Sequence, residues 1–168
     1  MTQDMLPYLP TVLIAICAAT FLLCALHDVA ARTVPNGASV IIALGGLALR
    51  LLDGTLPMAL GLALAALLVG KFCWTRGWMG GGDVKLIAAG ALAVPPGQFL
   101  SFITVMSVAG AILALPYLAG RTLRPRIESP RPQALAARVL RAERWRLRRG
   151  GPLPYACAIA AGGLSALF

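Results

Sequence analysis

Two aspartates, Asp28 and Asp83, are the residues of this chain best suited to chemistry. The sequence holds only six acidic residues, and each of these two lies at the end of an apolar segment. A carboxylate near hydrocarbon is costly and usually functional. Two carboxyl groups that lie close together cannot both ionise cheaply, so one keeps a proton near neutral pH. Such a pair can activate water and protonate a carbonyl oxygen, which is the chemistry of peptide hydrolysis.

Three glycines, Gly80 to Gly82, come directly before Asp83. They remove side chains from the approach to the carboxylate, so the backbone of a peptide substrate could lie against the protein's own backbone. Asp83 also stands at a predicted helix start, where free N–H groups favour an ionised carboxylate. A glycine loop followed by an ordinary N-cap aspartate explains the motif as well, and both interpretations stay open on this stretch alone.

Asp28 lies in a polar stretch that includes His27 and Arg32. A structural alternative makes Asp28 a capping or interface group paired with Arg32. His27 could accept a proton, but a lone histidine at the end of a span is more often an interfacial side chain. No other catalytic set competes, because the four cysteines lack metal-ligand spacing and there is no Gly-x-Ser-x-Gly elbow. We expect membrane-embedded free thiols, no metal and no cofactor.

The elements that would position the two aspartates are predicted to be membrane helices. Hydrophobic residues make up 59% of the chain and charged residues 12%, and the mean hydropathy is +0.81. The apolar residues come in blocks, which favours lipid as the surrounding solvent. The sequence predicts an all-α, polytopic membrane protein with about six transmembrane helices in a single domain over residues 1–168. The apolar segments are 6–26, 38–52, 56–74, 84–94, 99–119 and 153–168.

The lengths of these segments are unequal. A helix needs roughly 20 residues to cross the hydrocarbon, so the second, fourth and sixth segments are marginal. The fourth becomes adequate only if its helix begins at or before Asp83. The first segment is too long for a signal peptide and is expected to be a retained span.

The basic residues predict the orientation of the helices. Fourteen of the 15 lysines and arginines lie in connections on one side, whereas the other side holds only Arg50. By the positive-inside rule, the basic side faces the cytoplasm of a bacterial inner membrane and both termini face the periplasm. Asp28 and Asp83 then lie at the same membrane face. The three basic connections are 27–37, 71–85 and 120–151.

Ten arginines lie in the last of these connections, between Arg121 and Arg149. A basic loop at 121–151, flanked by apolar blocks, is typical of a segment attracted to anionic lipid. We therefore expect a lipid partner and no nucleic acid, despite the net charge of +9. Residues 134–149 have helix-forming composition and are predicted to form an interfacial helix.

Three short motifs resemble those of the type IV prepilin leader peptidases, a branch of the GxGD intramembrane aspartic peptidases. The run 80–85 resembles the family's Gly-x-Gly-Asp motif. The stretch 28–36 is similar to its first motif, an aspartate followed at a fixed distance by an aliphatic-Pro-Asn turn. Leu153 to Ala156 resembles a third recurring element, although family members commonly have glycine where Ala156 stands.

The resemblance implies an aspartic endopeptidase that cleaves the leader peptides of prepilins or pseudopilins at the cytoplasmic membrane boundary. Asp28 and Asp83 would be the catalytic pair, and a prepilin substrate helix would stand beside the spans. Gly80 and Gly82 would shape the site. The supporting candidates are Lys85, Pro35 and Asn36.

The short first cytoplasmic connection distinguishes this chain from the larger bifunctional members. Those members carry an additional cytoplasmic region with paired Cys-x-x-Cys motifs and methylate the new N-terminus. Here the connection 27–37 has no cysteine. The chain thus resembles the short, peptidase-only members associated with tight-adherence (Flp-type) pili.

Two other functions are compatible with a small polytopic protein. An ion-coupled transporter would need polar or ionisable residues deeper within the spans. A non-catalytic scaffold would hold the arginine-rich loop against lipid or a pilus-assembly protein. The scarcity of ionisable residues within the apolar segments argues against the transporter.

Overall fold

The structure, a computed structural model, describes residues 8–120, 138, 141 and 153–168. The basic loop 121–151, with its predicted interfacial helix and lipid contact, therefore lies almost entirely outside the described residues. Within those residues every regular element is helical, as predicted. Residues 8–120 and 153–168 form α1 (Leu9–Ala31), α2 (Asn36–Leu52), α3 (Leu56–Thr75), α4 (Gly81–Ala93), a short 3-10 helix (Pro96–Gln98), α5 (Phe99–Gly120) and α6 (Tyr155–Leu167).

Prolines and glycines set the helix boundaries close to the predicted positions. Pro35 is the N-cap of α2, so Asn36 already belongs to the helix rather than to the preceding turn. Pro154 precedes α6 in the same way. The helix α4 begins at Gly81, two residues before Asp83, but its 13 residues are fewer than the roughly 20 that a membrane crossing needs.

Three helices are long and apolar enough to cross a membrane by length and composition, among the described residues. These are α1, α3 and the stretch Pro96–Ala119, which includes α5 except for its last residue. Two shorter apolar helices, α2 and α6, have 17 and 13 residues. The chain is thus a helical protein with membrane-spanning character, and the count of six spans remains a prediction.

The connections from α1 to α5 are short, so successive helices there reverse direction, and α4 packs against α2, α3 and α6. The helix α1 packs against α2 and α6, and α5 packs mainly against α6. As a result, the ends of α1, α3 and α5 and the starts of α2, α4 and α6 can meet at one end of the bundle. The connections α2–α3 and α4–α5 occupy the other end.

Small residues allow close approach where α4 meets its neighbours. A Cβ placed on Gly46 of α2 would lie 2.5 Å from the backbone nitrogen of Ala93, and one on Gly90 would lie 2.9 Å from the Phe102 ring. Lipid tails are as apolar as the side chains, so the hydrophobic effect does not drive helices together in a membrane. Close van der Waals packing of this kind drives their association instead. These contacts fix the depth of α4 and hence the position of its first turn.

Gly46→Ala is therefore expected to destabilise the bundle. The added methyl group meets backbone atoms of α4, which cannot rotate away, so α2 must shift at a cost of about 1–3 kcal/mol. Thermal unfolding of the purified protein in detergent, followed by loss of helical circular dichroism, measures the effect. The matched control is Gly37→Ala in the same helix, where nothing lies within 4 Å of the new methyl group. Equal midpoints for the two variants would contradict the packing described here.

Arg50 lies near the C-terminal end of α2. It is the one basic residue that the positive-inside rule predicts on the periplasmic side. Arg50 is buried, and its guanidinium forms an ion pair with Asp53 at 2.7 Å. Asp53 also accepts hydrogen bonds from the backbone N–H and the hydroxyl of Thr55. Arg50 follows Asn36 by 14 residues, so it lies about 21 Å along the helix from the start of α2. This pair therefore stabilises a turn remote from the aspartates.

Candidate active site

An open cleft of about 850 Å³ lies at the end of the bundle where α1 ends and α2, α4 and α6 begin. Both Asp28 and Asp83 line it, although 55 residues separate them in the sequence. Of the other predicted site residues, Gly80, Gly82, Lys85 and Asn36 also line the cleft, and Pro35 does not. The remaining lining residues are Arg32, Thr33, Val34, Gly77, Trp78, Met79, Gly81, Leu153 and Tyr155.

Asp28 lies one turn before the end of α1 and is buried. Its Oδ2 accepts a hydrogen bond of 3.1 Å from the backbone N–H of Ala156. Ala156 is the second residue of α6, so its N–H has no partner within that helix. The carboxylate thereby satisfies an N–H at a helix N-terminus, where the partial positive charge favours an anion.

Asp83 is the third residue of α4, and Gly80 is the N-cap. Asp83 thus lies in the first turn of the helix, as predicted, and it is not the N-cap that the structural alternative assigned to it. The residue precedes the apolar segment 84–94 and lies outside the three candidate spans. Burial and the nearby charge of Asp28 raise the pKa of Asp83 to about 6, while a backbone hydrogen bond with Gly80 opposes the rise.

The two carboxyl groups thus occupy different environments within one cleft. Asp28 has a helix N-terminus beside it, whereas Asp83 is partly desolvated and is acted on by the charge of Asp28. One ionised and one protonated carboxyl group is the state that such a pair favours. That state can accept a proton from water and donate another to a carbonyl oxygen.

The glycines before Asp83 leave room that side chains would fill. A Cβ on Gly80 would lie 3.0 Å from Oδ2 of Asp83, and one on Gly82 would lie 3.1 Å from Cβ of Val34. Neither glycine has a positive φ, so close approach rather than backbone conformation explains them. Gly80 keeps the carboxylate accessible, and Gly82 lets the 32–35 connection pack against the first turn of α4.

Two of the predicted supporting residues contact each other. Lys85 Nζ donates a hydrogen bond of 3.1 Å to Oδ1 of Asn36 across the start of α2 and α4. Both side chains are exposed at the cleft. Pro35 is the N-cap of α2, directly before Asn36, and its ring fixes the φ of the extended backbone from which the helix begins. The aliphatic-Pro-Asn turn is therefore tied to the Asp83 segment.

Several residues that line the cleft had no role assigned to them from the sequence. Among them are Arg32, Trp78, Met79 and Tyr155. Tyr155 lies within the third motif, which was recognisable as a pattern without a role. Arg32 was weighed only as a partner for Asp28. Trp78 and Met79 carried no signal, because nothing in the sequence shows that the α3–α4 connection folds over the site.

His27 and the four cysteines are the other titratable residues that the sequence singled out. His27 is exposed, and its Nδ1 is 2.7 Å from the carbonyl oxygen of Thr33, so it can donate there in one tautomer. The four cysteines are free thiols, as predicted. Among the described residues, no group of histidine, cysteine and acidic side chains is arranged to hold a metal ion.

The fold and the cleft define a helical membrane protein with a two-carboxylate site at one end of the bundle. Comparison with family models identifies it further: the model of the type IV leader peptidase family matches residues 15–115, and the chain belongs to this family. The matched range includes both aspartates and ends before α6. No curated protein and no solved structure matches the chain. Family membership makes the protein a protease of the leader peptidase type.

Proposed function

We propose that the protein is an aspartic endopeptidase that removes the leader peptide of prepilin or pseudopilin precursors. The observation that carries the proposal is the placement of Asp28 and Asp83 on one open cleft. Membership of the leader peptidase family supports the choice of reaction and substrate class. The proposed site of action is the cytoplasmic face of a bacterial inner membrane, with both termini in the periplasm.

The proposed mechanism uses one ionised and one protonated carboxyl group. The ionised group takes a proton from water as the water oxygen attacks the scissile carbonyl carbon, and the protonated group gives its proton to the carbonyl oxygen. The resulting gem-diol collapses as the C–N bond breaks. The leaving nitrogen takes up the proton that came from water, and a hydroxyl proton restores the second carboxyl group. The protein returns to its starting state without a cofactor.

The short connection between α1 and α2 supports a peptidase without methyltransferase activity. Only residues 32–35 separate the two helices, which leaves no room for a further cytoplasmic region there. We therefore assign the chain to the short, peptidase-only type that serves tight-adherence pili. A substrate helix standing beside the spans would present its cleavage site at the level of the cleft.

The direct test is co-expression of the chain with candidate prepilins. The expected result is a shortened product whose new N-terminus, read by mass spectrometry, lies at the junction between the leader and the apolar pilin segment. The matched control is a prepilin in which the residues on both sides of that junction are replaced. Failure to shorten any candidate, with the chain present in the membrane, would count against the proposal.

The rate of cleavage is expected to fall as the pH rises above 6. The pKa of Asp83 is raised to about 6, so the group is protonated below that pH and loses its proton above it. If Asp83 must carry a proton, activity falls at least roughly tenfold between pH 6 and pH 8. Initial rates with purified protein in detergent, measured on the prepilin identified by co-expression, test this. A rate that stays constant over the range would contradict it.

A further inference from the structure

The connection between α3 and α4, residues 76–80, forms one side of the cleft. Four successive residues of this connection line it, namely Gly77, Trp78, Met79 and Gly80. Met79 is partly buried and packs against the hydrophobic core, whereas Trp78 is 71% exposed. The connection is therefore anchored by Met79 and leaves a large aromatic ring uncovered at the edge of the cleft.

The way in which α3 ends directs Trp78 to this position. The backbone N–H of Trp78 donates a hydrogen bond of 3.0 Å to the carbonyl oxygen of Cys73, and that of Gly77 donates one of 2.9 Å to Trp74. These two bonds make a Schellman motif, in which the residue after the helix is left-handed. Gly77 has a φ of 72°, and a Cβ placed there would meet nothing within 4 Å. The backbone conformation, rather than a lack of space, therefore favours glycine at this position.

The Trp78 ring is oriented by an aromatic neighbour on α3. Phe72 meets it edge to face, with ring centroids 6.1 Å apart and an angle of 87° between the ring planes. An apolar contact across the helix end commonly accompanies a Schellman motif. The guanidinium carbon of Arg76 lies 4.9 Å from the centroid of the Phe72 ring, a cation–π contact that favours the same arrangement. The Trp78 ring thus has a defined orientation, although most of its surface is uncovered.

Contact with lipid is the simplest explanation of an exposed tryptophan at the end of a membrane helix. Trp74 fits that explanation, because it is 54% exposed at the same end of α3 and does not line the cleft. Trp78 differs, because it lines the cleft that also holds Asp28 and Asp83. A peptide bound at the two carboxyl groups therefore passes a ring that can bury an apolar side chain.

We propose that Trp78 is a specificity-determining residue, and that the first pilin residue after the scissile bond packs its side chain against the Trp78 ring. This inference rests on the proposed function, in which that residue begins the apolar pilin segment. A larger apolar side chain removes more surface from water when it packs against the ring, so it is favoured over a small one. Gly77 is a positioning residue, because its left-handed conformation places the ring on the cleft.

The test uses two forms of the prepilin identified by co-expression, with leucine or alanine at the first position after the junction. The wild-type protein should cleave the leucine form with a kcat/KM about tenfold higher, the low end of what an apolar contact contributes to discrimination. Trp78→Ala should cleave both forms nearly equally, and Trp78→Phe keeps an aromatic ring and should retain most of the preference. Trp74→Ala is the matched control and should keep the whole preference, since Trp74 does not line the cleft.

A second pair of variants tests the backbone that places the ring. Gly77→Ala puts a Cβ at a positive φ and should lower the preference for leucine in the same direction as Trp78→Ala. Gly54→Ala is the matched control, because Gly54 has a φ of 71° and a Cβ there also meets nothing within 4 Å. It lies in the turn between α2 and α3, at the other end of the bundle, and should leave the preference unchanged.

The outcomes separate this inference from the proposed function. The measured quantity is a ratio between two substrates, so a general loss of activity or of protein cancels from it. An unchanged preference in Trp78→Ala overturns the inference, while the cleavage itself upholds the peptidase assignment. Equal loss of the preference in Trp78→Ala and Trp74→Ala shows a lipid-interface role and overturns it as well. Absence of cleavage of both forms by the wild-type protein would instead count against the proposed function.

Discussion

Asp83→Asn is expected to reduce leader cleavage by roughly a thousandfold, the scale of a lost general acid or base. Asparagine has nearly the same size as aspartate, so it fits the first turn of α4 without disturbing the glycines before it. Its amide can donate a hydrogen bond to a carbonyl oxygen but cannot transfer a proton. The loss should therefore appear in the rate, while the amount of protein in the membrane stays near that of the wild type.

Quantitative immunoblotting of precursor and mature pilin measures this effect, with the tagged peptidase quantified in the same membranes. Asp53→Asn is the matched control, because it makes the same change at the turn after α2, where Asp53 pairs with Arg50 and does not line the cleft. We expect the control to process prepilin at the wild-type rate. If Asp83→Asn processes it equally well, Asp83 has no part in the chemistry and the two-carboxylate mechanism is wrong.

Helix positions were predictable because the chain signals them locally. Blocks of apolar residues mark the helices, and Pro35, Pro95 and Pro154 stand at helix boundaries where a backbone N–H donor is not needed. The start of α4 was harder, because Gly80 to Gly82 fit a loop as well as a helix N-terminus. Packing of α4 against three neighbours decides in favour of the helix.

The placement of Asp28 and Asp83 on one side could be predicted from the helix topology, and no local sequence motif indicated it. Alternating helix directions bring the end of α1 and the start of α4 to the same side, so two sparse acids at those positions could be expected to share a cleft. The hydrogen bond from Ala156 to Asp28 was not predictable, because it joins residues 128 positions apart. The hydrogen bond from the Arg32 guanidinium to the Tyr117 hydroxyl likewise depends on how α5 packs, which no spacing in the sequence specifies.

Two substitutions at Asp28 separate its role in catalysis from its role in the stability of the fold. Asp28→Asn keeps an oxygen that can accept the Ala156 N–H, so the fold should persist while cleavage falls by roughly a thousandfold. Asp28→Leu removes the acceptor as well and leaves a buried N–H at the N-terminus of α6 without its partner. That loss should cost about 1–3 kcal/mol in the free energy of unfolding.

The Asn and Leu variants at residue 28 serve as controls for each other. Both should fail to process prepilin, but only the leucine variant should unfold at lower temperature in detergent. Equal unfolding temperatures for the two would show that the Ala156 hydrogen bond does not stabilise α6. Cleavage by Asp28→Asn at the wild-type rate would remove Asp28 from the mechanism. The assignment therefore requires that the asparagine variant be folded and inactive, because only then does the lost proton transfer explain the lost activity.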